Sequence, residues 1–244
     1  MGTSKSYSGT GSPNWSKLSD SVTRSCKVGI IPDEKLNNVV SNFVISLGGS
    51  SHSGRGSSKI GGRAGIRTAQ KLGGFLNNVK FKGFRSAMSE IGYDHTGQNA
   101  NYAINYILEY CAGVASSIDD TAAKTAEREL LKEIESEAKT FEELEKNFAD
   151  KIEEYGIEEL LIRYFAYYIY EHLSIRFYEK LIKEKEKLAT ENFYYQLKYF
   201  LIEKVKNISR NRDLSKVQWD GSIGEKLVKD IFEDTLKEFE TYEN

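Results

Sequence analysis

Ile157-Glu-Glu-Leu-Leu-Ile-Arg-Tyr-Phe-Ala-Tyr-Tyr-Ile-Tyr-Glu-His-Leu-Ser-Ile-Arg-Phe-Tyr-Glu-Lys-Leu-Ile-Lys-Glu-Lys-Glu-Lys187 decides the fold. The stretch contains neither Gly nor Pro, and Leu160, Tyr164, Tyr167 or Tyr168, Phe177 and Leu181 recur at helical spacing. Lys180 and the Lys/Glu run from Lys183 to Lys187 make its solvated end. With a second helix from about Thr190 to Ile208, it holds eight of the fifteen tyrosines and should form the core of an acidic half. Its most apolar part, Tyr164 to Tyr170, is seven residues long and flanked by Arg163 and Glu171. A membrane span needs about 20 mainly apolar residues, so none is expected.

Both prolines, Pro13 and Pro32, lie near the start, which leaves the rest of the 244 residues free to be helical. Leu36, Val39, Val40, Phe43, Val44 and Leu47 predict a short helix stopped by Gly48-Gly49. Ile66, Ala69, Leu72, Leu76 and Val79, then Phe84, Ala87, Met88 and Ile91 after Gly83, predict two short basic helices. Longer helices follow over about 98–117 and about 119–139, the latter with Asp119 or Asp120 as its N-cap. Thr140-Phe-Glu-Glu143 and Ser222-Ile-Gly-Glu225 read as capping boxes that open further helices. No strand alternation competes, and the fold class is all-α: a helical bundle with a flexible Gly/Ser-rich N-terminal segment.

Charge divides the chain. Residues 1–90 carry 13 Lys/Arg against 4 Asp/Glu, the remainder 21 against 32, and 14 of the 20 glycines lie before position 91. Three parts follow: a flexible tail over 1–30, with Trp15, Leu18 and Val22 as the only large apolar anchors of residues 1–27; a basic short-helix region over 31–95 with a Gly/Ser linker at 48–62; and an acidic, Tyr-rich helical domain over 96–244. Cys26 and Cys111 have no metal-ligand spacing and no secretory leader precedes them, which points to free thiols in a reducing cytoplasm.

Little in the sequence reads as catalysis. His52, His95 and His172 stand far apart and in no zinc-binding helical pattern, so neither a metal, a cofactor nor a catalytic set is expected. His172 reads as a packed or surface helix residue. The stretch Gly54 to Gly65 is rich enough in Gly, Arg and Lys to suggest a phosphate cradle, but Lys59 is followed by Ile60 rather than Ser or Thr, and no hydrophobic strand precedes it. Arg55, Lys59, Arg63 and Arg67, continued by Lys71, Lys80, Lys82 and Arg85, form a positive run that could contact nucleic acid or an acidic partner. Phe75, Phe81 and Phe84 sit among them at core spacing.

The opening Met1-Gly2-Thr3-Ser4-Lys5-Ser6-Tyr7 carries a different chemistry. Small Gly2 permits removal of Met1, exposing an α-amine whose pKa of roughly 7.7–8 leaves a free, nucleophilic fraction near neutrality. The same letters satisfy a myristoylation pattern, but no polybasic cluster adjoins them to complete a stable anchor.

That opening, the Gly/Ser/Pro segment and Trp15 after it, the Gly48-Gly49 stop, the basic Gly-rich linker and the helix ending near Gly83-Phe84 together resemble the QatB family of the Qat antiphage defence operons. The resemblance covers about the first 95 residues, and departs from the family pattern in Ser8-Gly9-Thr10-Gly11, with the proline delayed to Pro13. It implies partnership rather than activity: a cytoplasmic, non-enzymatic scaffold acting with an ATPase (QatA), a QueC-like enzyme (QatC) and a TatD-like nuclease (QatD). QueC-like enzymes adenylate a 7-carboxy-7-deazaguanine for attack by an amine, and in related defence systems that amine is a protein's N-terminal glycine. The resemblance therefore implies Gly2 as acceptor, with Thr3, Ser4 and Tyr7 read by the partner's cleft. The competing expectation is an adaptor that brings a nuclease to nucleic acid through residues 55–85.

Overall fold

The computed structural model describes residues 13–50, 62–94, 99–208, 212–214 and 217–240. Gly2, Thr3, Ser4, Tyr7, Arg55 and Lys59, as well as His52 and His95, lie outside the described residues. The described residues form nine α-helices and no strand: α1 (Pro13–Ser25), α2 (Asp33–Ser46), α3 (Arg63–Lys82), α4 (Phe84–Glu90), α5 (Ala100–Cys111), α6 (Ile118–Glu135), α7 (Phe141–Glu184), α8 (Lys187–Val205) and α9 (Ser222–Lys237). The all-α bundle expected from the periodicity is what forms. No described helix is long and apolar enough to cross a membrane.

α7 is the spine. It starts at the capping box read from the sequence, with Thr140 Oγ1 accepting from the Glu143 N–H at 3.2 Å and the Glu143 carboxylate accepting from the Thr140 N–H at 3.2 Å. At Gly156 it kinks (φ +75°, ψ 163°), a backbone region that costs an L side chain but not glycine. The aromatic helix thus begins at Ile157, where the sequence placed it.

α6 and α8 both pack along α7, with Lys198 of α8 paired to Glu129 of α6, while α3 lies across α6, α7 and α9. One core runs from Leu18 to Phe239 and crosses the boundary between the basic and acidic halves. Phe75 of α3 and Phe84 of α4 meet Phe148 of α7 at 5.9 and 4.8 Å between ring centroids, and Phe165 of α7 stacks on Phe232 of α9 at 4.6 Å. Phe81 does not join them: it is 55% exposed, with the Lys80 ammonium 5.8 Å from its ring centroid.

Local starts differ from the sequence reading in three places. Residues 13–25, inside the segment read as tail, form α1, because Leu18 and Val22 bury completely on one face and Pro13 suits a first helical position. The N-cap of α6 is Ser117 rather than Asp119 or Asp120: its Oγ accepts from the Asp120 N–H at 3.1 Å, and Asp120 accepts from the Ser116 and Ser117 hydroxyls. The Ser222–Glu225 box is not made either. Glu225 pairs with Lys229, and the Gly224 and Glu225 N–H groups donate to the carbonyls of Gln218 and Gly221, so the preceding backbone has replaced the side-chain cap.

Candidate functional site at the roots of two glycine-rich segments

Residues 1–12 join the fold at Pro13, and that junction is fixed. Trp15 stacks on Phe177 at 5.2 Å between centroids, the Arg176 guanidinium lies 5.7 Å from the Trp15 ring, and Lys180 Nζ donates to Ser19 Oγ at 2.8 Å. Cation–π and stacking contacts of this kind contribute about 0.5–1.5 kcal/mol each beyond area burial. A cavity of about 420 Å3 opens beside the tryptophan, with Ile118, Ile175, Arg176 and Lys183 among its walls.

Ile118 is followed by Asp119, which clamps the end of the other glycine-rich segment. Its Oδ2 accepts from the Ala64 N–H at 3.0 Å, and its Oδ1 from the Gly62 N–H at 3.2 Å and from the Tyr168 hydroxyl. His172 Nε2 approaches the same Oδ1 at 3.2 Å, and the Gly62 N–H is shared with Tyr168 Oη at 2.7 Å. A carboxylate borrowed from α6 therefore supplies the first turn of α3 with the cap that Gly62 lacks. The tail root and the end of the basic linker are neighbours across Ile118.

Burial alone would raise the Asp119 carboxyl, but hydrogen bonds from His172, Tyr168 and the Ala64 N–H hold it well below the usual carboxylate range. Burial pushes His172 down, only partly opposed by Asp119, so the imidazole is neutral; burial and then the Asp119 charge push Tyr168 far up. An Asp–His–Tyr set suggests acid–base work, but both rings are fully buried, out of reach of a dissolved substrate. The set ties α3, α6 and α7 together. Glu127, also on α6, is fully buried beside Cys111; burial raises its pKa strongly against the opposing pull of Cys111 and Lys124.

The basic run finds acid within the fold. Arg67 pairs with Asp120 at 2.9 Å, Lys82 with Glu90 at 2.7 Å, and Arg85 with Glu142 and Glu145, both at 3.0 Å. Lys71 donates to the Tyr110 carbonyl at 3.0 Å, and Arg63 projects outward from the first turn of α3. His172 is packed in the core, Cys26 and Cys111 are free buried thiols, and no group of three or more His, Cys, Asp or Glu among the described residues could hold a metal ion. The Asp119–Tyr168–His172 convergence was not legible in the sequence: about fifty residues separate Asp119 from each partner, and no spacing rule links them.

The sequence profile of one protein family, "Qat anti-phage system associated protein QatB", matches residues 52–239, more than three quarters of the chain. The chain belongs to the QatB family. It is therefore a component of a Qat anti-phage system. No curated protein and no solved structure matches it. The QatB match covers the clamp of Gly62, Ala64, Asp119, Tyr168 and His172 and the acidic helices; residues 1–51, including the opening Gly2 to Tyr7, lie outside it.

Proposed function

We propose that this QatB-family chain is a non-enzymatic adaptor of the Qat complex whose N-terminal Gly2 is an acceptor for a QueC-like partner. The Gly2 amine attacks the adenylated carboxylate of a deazaguanine, an amide forms, AMP leaves and the amine gives up a proton. The observation that carries this reading is the fixed root beneath the segment: Trp15 on Phe177, with Leu18 and Val22 in the core. Eleven peptide steps separate Gly2 from Pro13, a reach of at most about 40 Å, so the terminus can enter another protein's cleft while the helices stay put. The helical body is then the handle held by the ATPase and QueC-like components, with the TatD-like nuclease as a further partner, in the cytoplasm. Thr3, Ser4 and Tyr7 supply hydroxyls and backbone for recognition beside Gly2.

The nucleic-acid reading through Arg55, Lys59, Arg63 and Arg67 has less in its support, because Arg67, Lys82 and Arg85 already face carboxylates. Phage-infection assays in cells carrying the whole operon test the proposal. Gly2→Pro should abolish protection while the protein accumulates to normal levels; full protection by that variant would refute it.

A further inference from the structure

Around the tail root the surface changes sign. Residues 13–25 and 174–185 together hold six Lys/Arg against three Asp/Glu, although residues 91–244 as a whole carry 21 against 32. α1 and the last turns of α7 run side by side here, joined by Trp15 on Phe177 and by Lys180 on Ser19. Arg67, Lys82 and Arg85 face carboxylates, but Lys17 and Arg24 of α1 and Lys183 of α7 are exposed and make no ion pair among the described residues. Lys17 and Arg24 stand two helical turns apart on one face of α1, and Arg176, Lys180 and Lys183 follow at spacings of four and three on one face of α7. These last three share the walls of the cavity of about 420 Å3 with Trp15, Ile118 and Ile175.

The tail selects what meets this surface. Residues 1–12 contain Lys5 and no carboxylate, so the sequence from the Gly2 amine to Lys17 carries positive charge alone, and the first acid is Asp20. A groove that accepts the tail is therefore complemented by an acidic rim, and the same rim finds Lys17, Arg24 and Lys183 once the tail is drawn in. Eleven peptide steps give a reach of at most about 40 Å. Even a 100-residue domain has a radius of gyration of about 13 Å, so a cleft deep enough to enclose Gly2 uses most of that reach and brings the enzyme's surface to Pro13. The apolar walls of the cavity fit a protein side chain, and Asp20, Glu179 and Glu184, set among the cations, repel the continuous phosphates of a nucleic acid.

We propose that the surface around Pro13 is the docking site of the enzyme that takes Gly2, which meets it with an acidic rim and seats an apolar side chain against Trp15 and Ile175. The inference rests on the proposed function for its occupant. Docking on the helical body makes entry of the tail intramolecular, at an effective concentration on the order of millimolar. The surface therefore acts on KM and leaves the chemical step to the cleft.

Two readings on the full-length chain and the QueC-like enzyme of its operon test it: affinity by calorimetry, and the rate of mass increase on Gly2 against chain concentration. Lys17→Glu combined with Lys183→Glu is expected to weaken binding and raise KM by about tenfold or more while kcat holds, and Ile175→Asp to act in the same direction. Lys146→Glu combined with Lys226→Glu, which reverses two exposed cations elsewhere on α7 and α9, should change neither. A Gly2 modified with an unchanged KM in the Lys17/Lys183 variant would overturn the docking site and leave the proposed function standing. Binding that this variant weakens, with Gly2 never modified, would keep the docking site and remove the acceptor role. A wild-type chain that does not bind the enzyme overturns the docking site, and so does a variant that binds the enzyme normally but loses retention of double-stranded DNA, which would assign the surface to nucleic acid. Should the variant fail to fold, the wild-type complex decides: affinity that falls as salt rises from about 0.05 to about 0.5 M supports the charged rim, and affinity indifferent to salt refutes it.

Discussion

Replacing Asp119 by Ala should be among the most damaging single changes in the molecule. The carboxylate is 20% exposed and accepts from the Gly62 and Ala64 N–H groups, the Tyr168 hydroxyl and His172 Nε2. Gly62 keeps Tyr168 Oη as an acceptor, but the Ala64 N–H, the Tyr168 proton and the His172 N–H lose theirs. Each orphaned buried donor costs about 1–3 kcal/mol. Water entering at the partly open side recovers some of this, leaving a loss of roughly 3–5 kcal/mol, a large share of the stability of a domain this size. Urea unfolding at pH 7 followed by circular dichroism measures it, and exchange of the Ala64 amide should accelerate in parallel. Asp119→Asn, which keeps one acceptor oxygen, should lose less. The pH dependence has a definite sign. A carboxyl lowered in the fold stabilises in full above its ordinary value of 3.8 and loses that contribution as pH falls through the lowered value. His172, lowered from 6.5, is neutral in the fold and takes a proton more readily when unfolded, so it too costs stability as pH falls below 6.5. The wild-type chain should weaken steadily toward acid and the Ala variant less steeply. A change below about 1 kcal/mol for Asp119→Ala would refute the clamp.

Burial, and then the charge of Glu129, push Glu171 up to about 7, against the opposing pull of Lys198 and Lys132. A raised carboxyl favours the fold at low pH and costs stability as pH climbs from 4.5 to about 7, so Glu171→Gln should raise stability at pH 8 by about 1–3 kcal/mol and leave it unchanged near pH 4. Thermal melts at the two pH values check this. A Cβ added at Gly73 would lie 2.1 Å from the Trp219 ring, which is buried between α3 and α9. Gly73→Ala should therefore lose about 1–3 kcal/mol by overpacking despite its better helix propensity, and a rise in melting temperature would contradict that packing.

What the sequence disclosed follows from the range of the physics. Period, glycine stops and the Thr140–Glu143 box are local, and they placed α2, α3, α4 and α7 to within a few residues. Ser222 failed as a cap because backbone carbonyls from Gln218 and Gly221 reached the first N–H groups before a side chain did, an outcome set by how Trp219 packs rather than by the letters. Asp119 read as a cap for its own helix and caps α3 instead, a long-range pairing that no local pattern encodes. The loop between α1 and α2 is held by Asn192 and Gln196, 165 and 167 residues from the Lys27 and Gly29 carbonyls they reach, a separation no local pattern spans. The basic run was legible as charge, but its neutralisation by Asp120, Glu90, Glu142 and Glu145 belongs to the tertiary structure.

Mass spectrometry of the N-terminal peptide, from protein made alone and from protein made with the rest of its operon, tests the central claim most directly. The account predicts Met1 removed and a partner-dependent mass increase on Gly2, consistent with an amide-linked deazaguanine and lost when the QueC-like partner is inactivated. An unmodified Gly2 in cells that are fully protected against phage would contradict it.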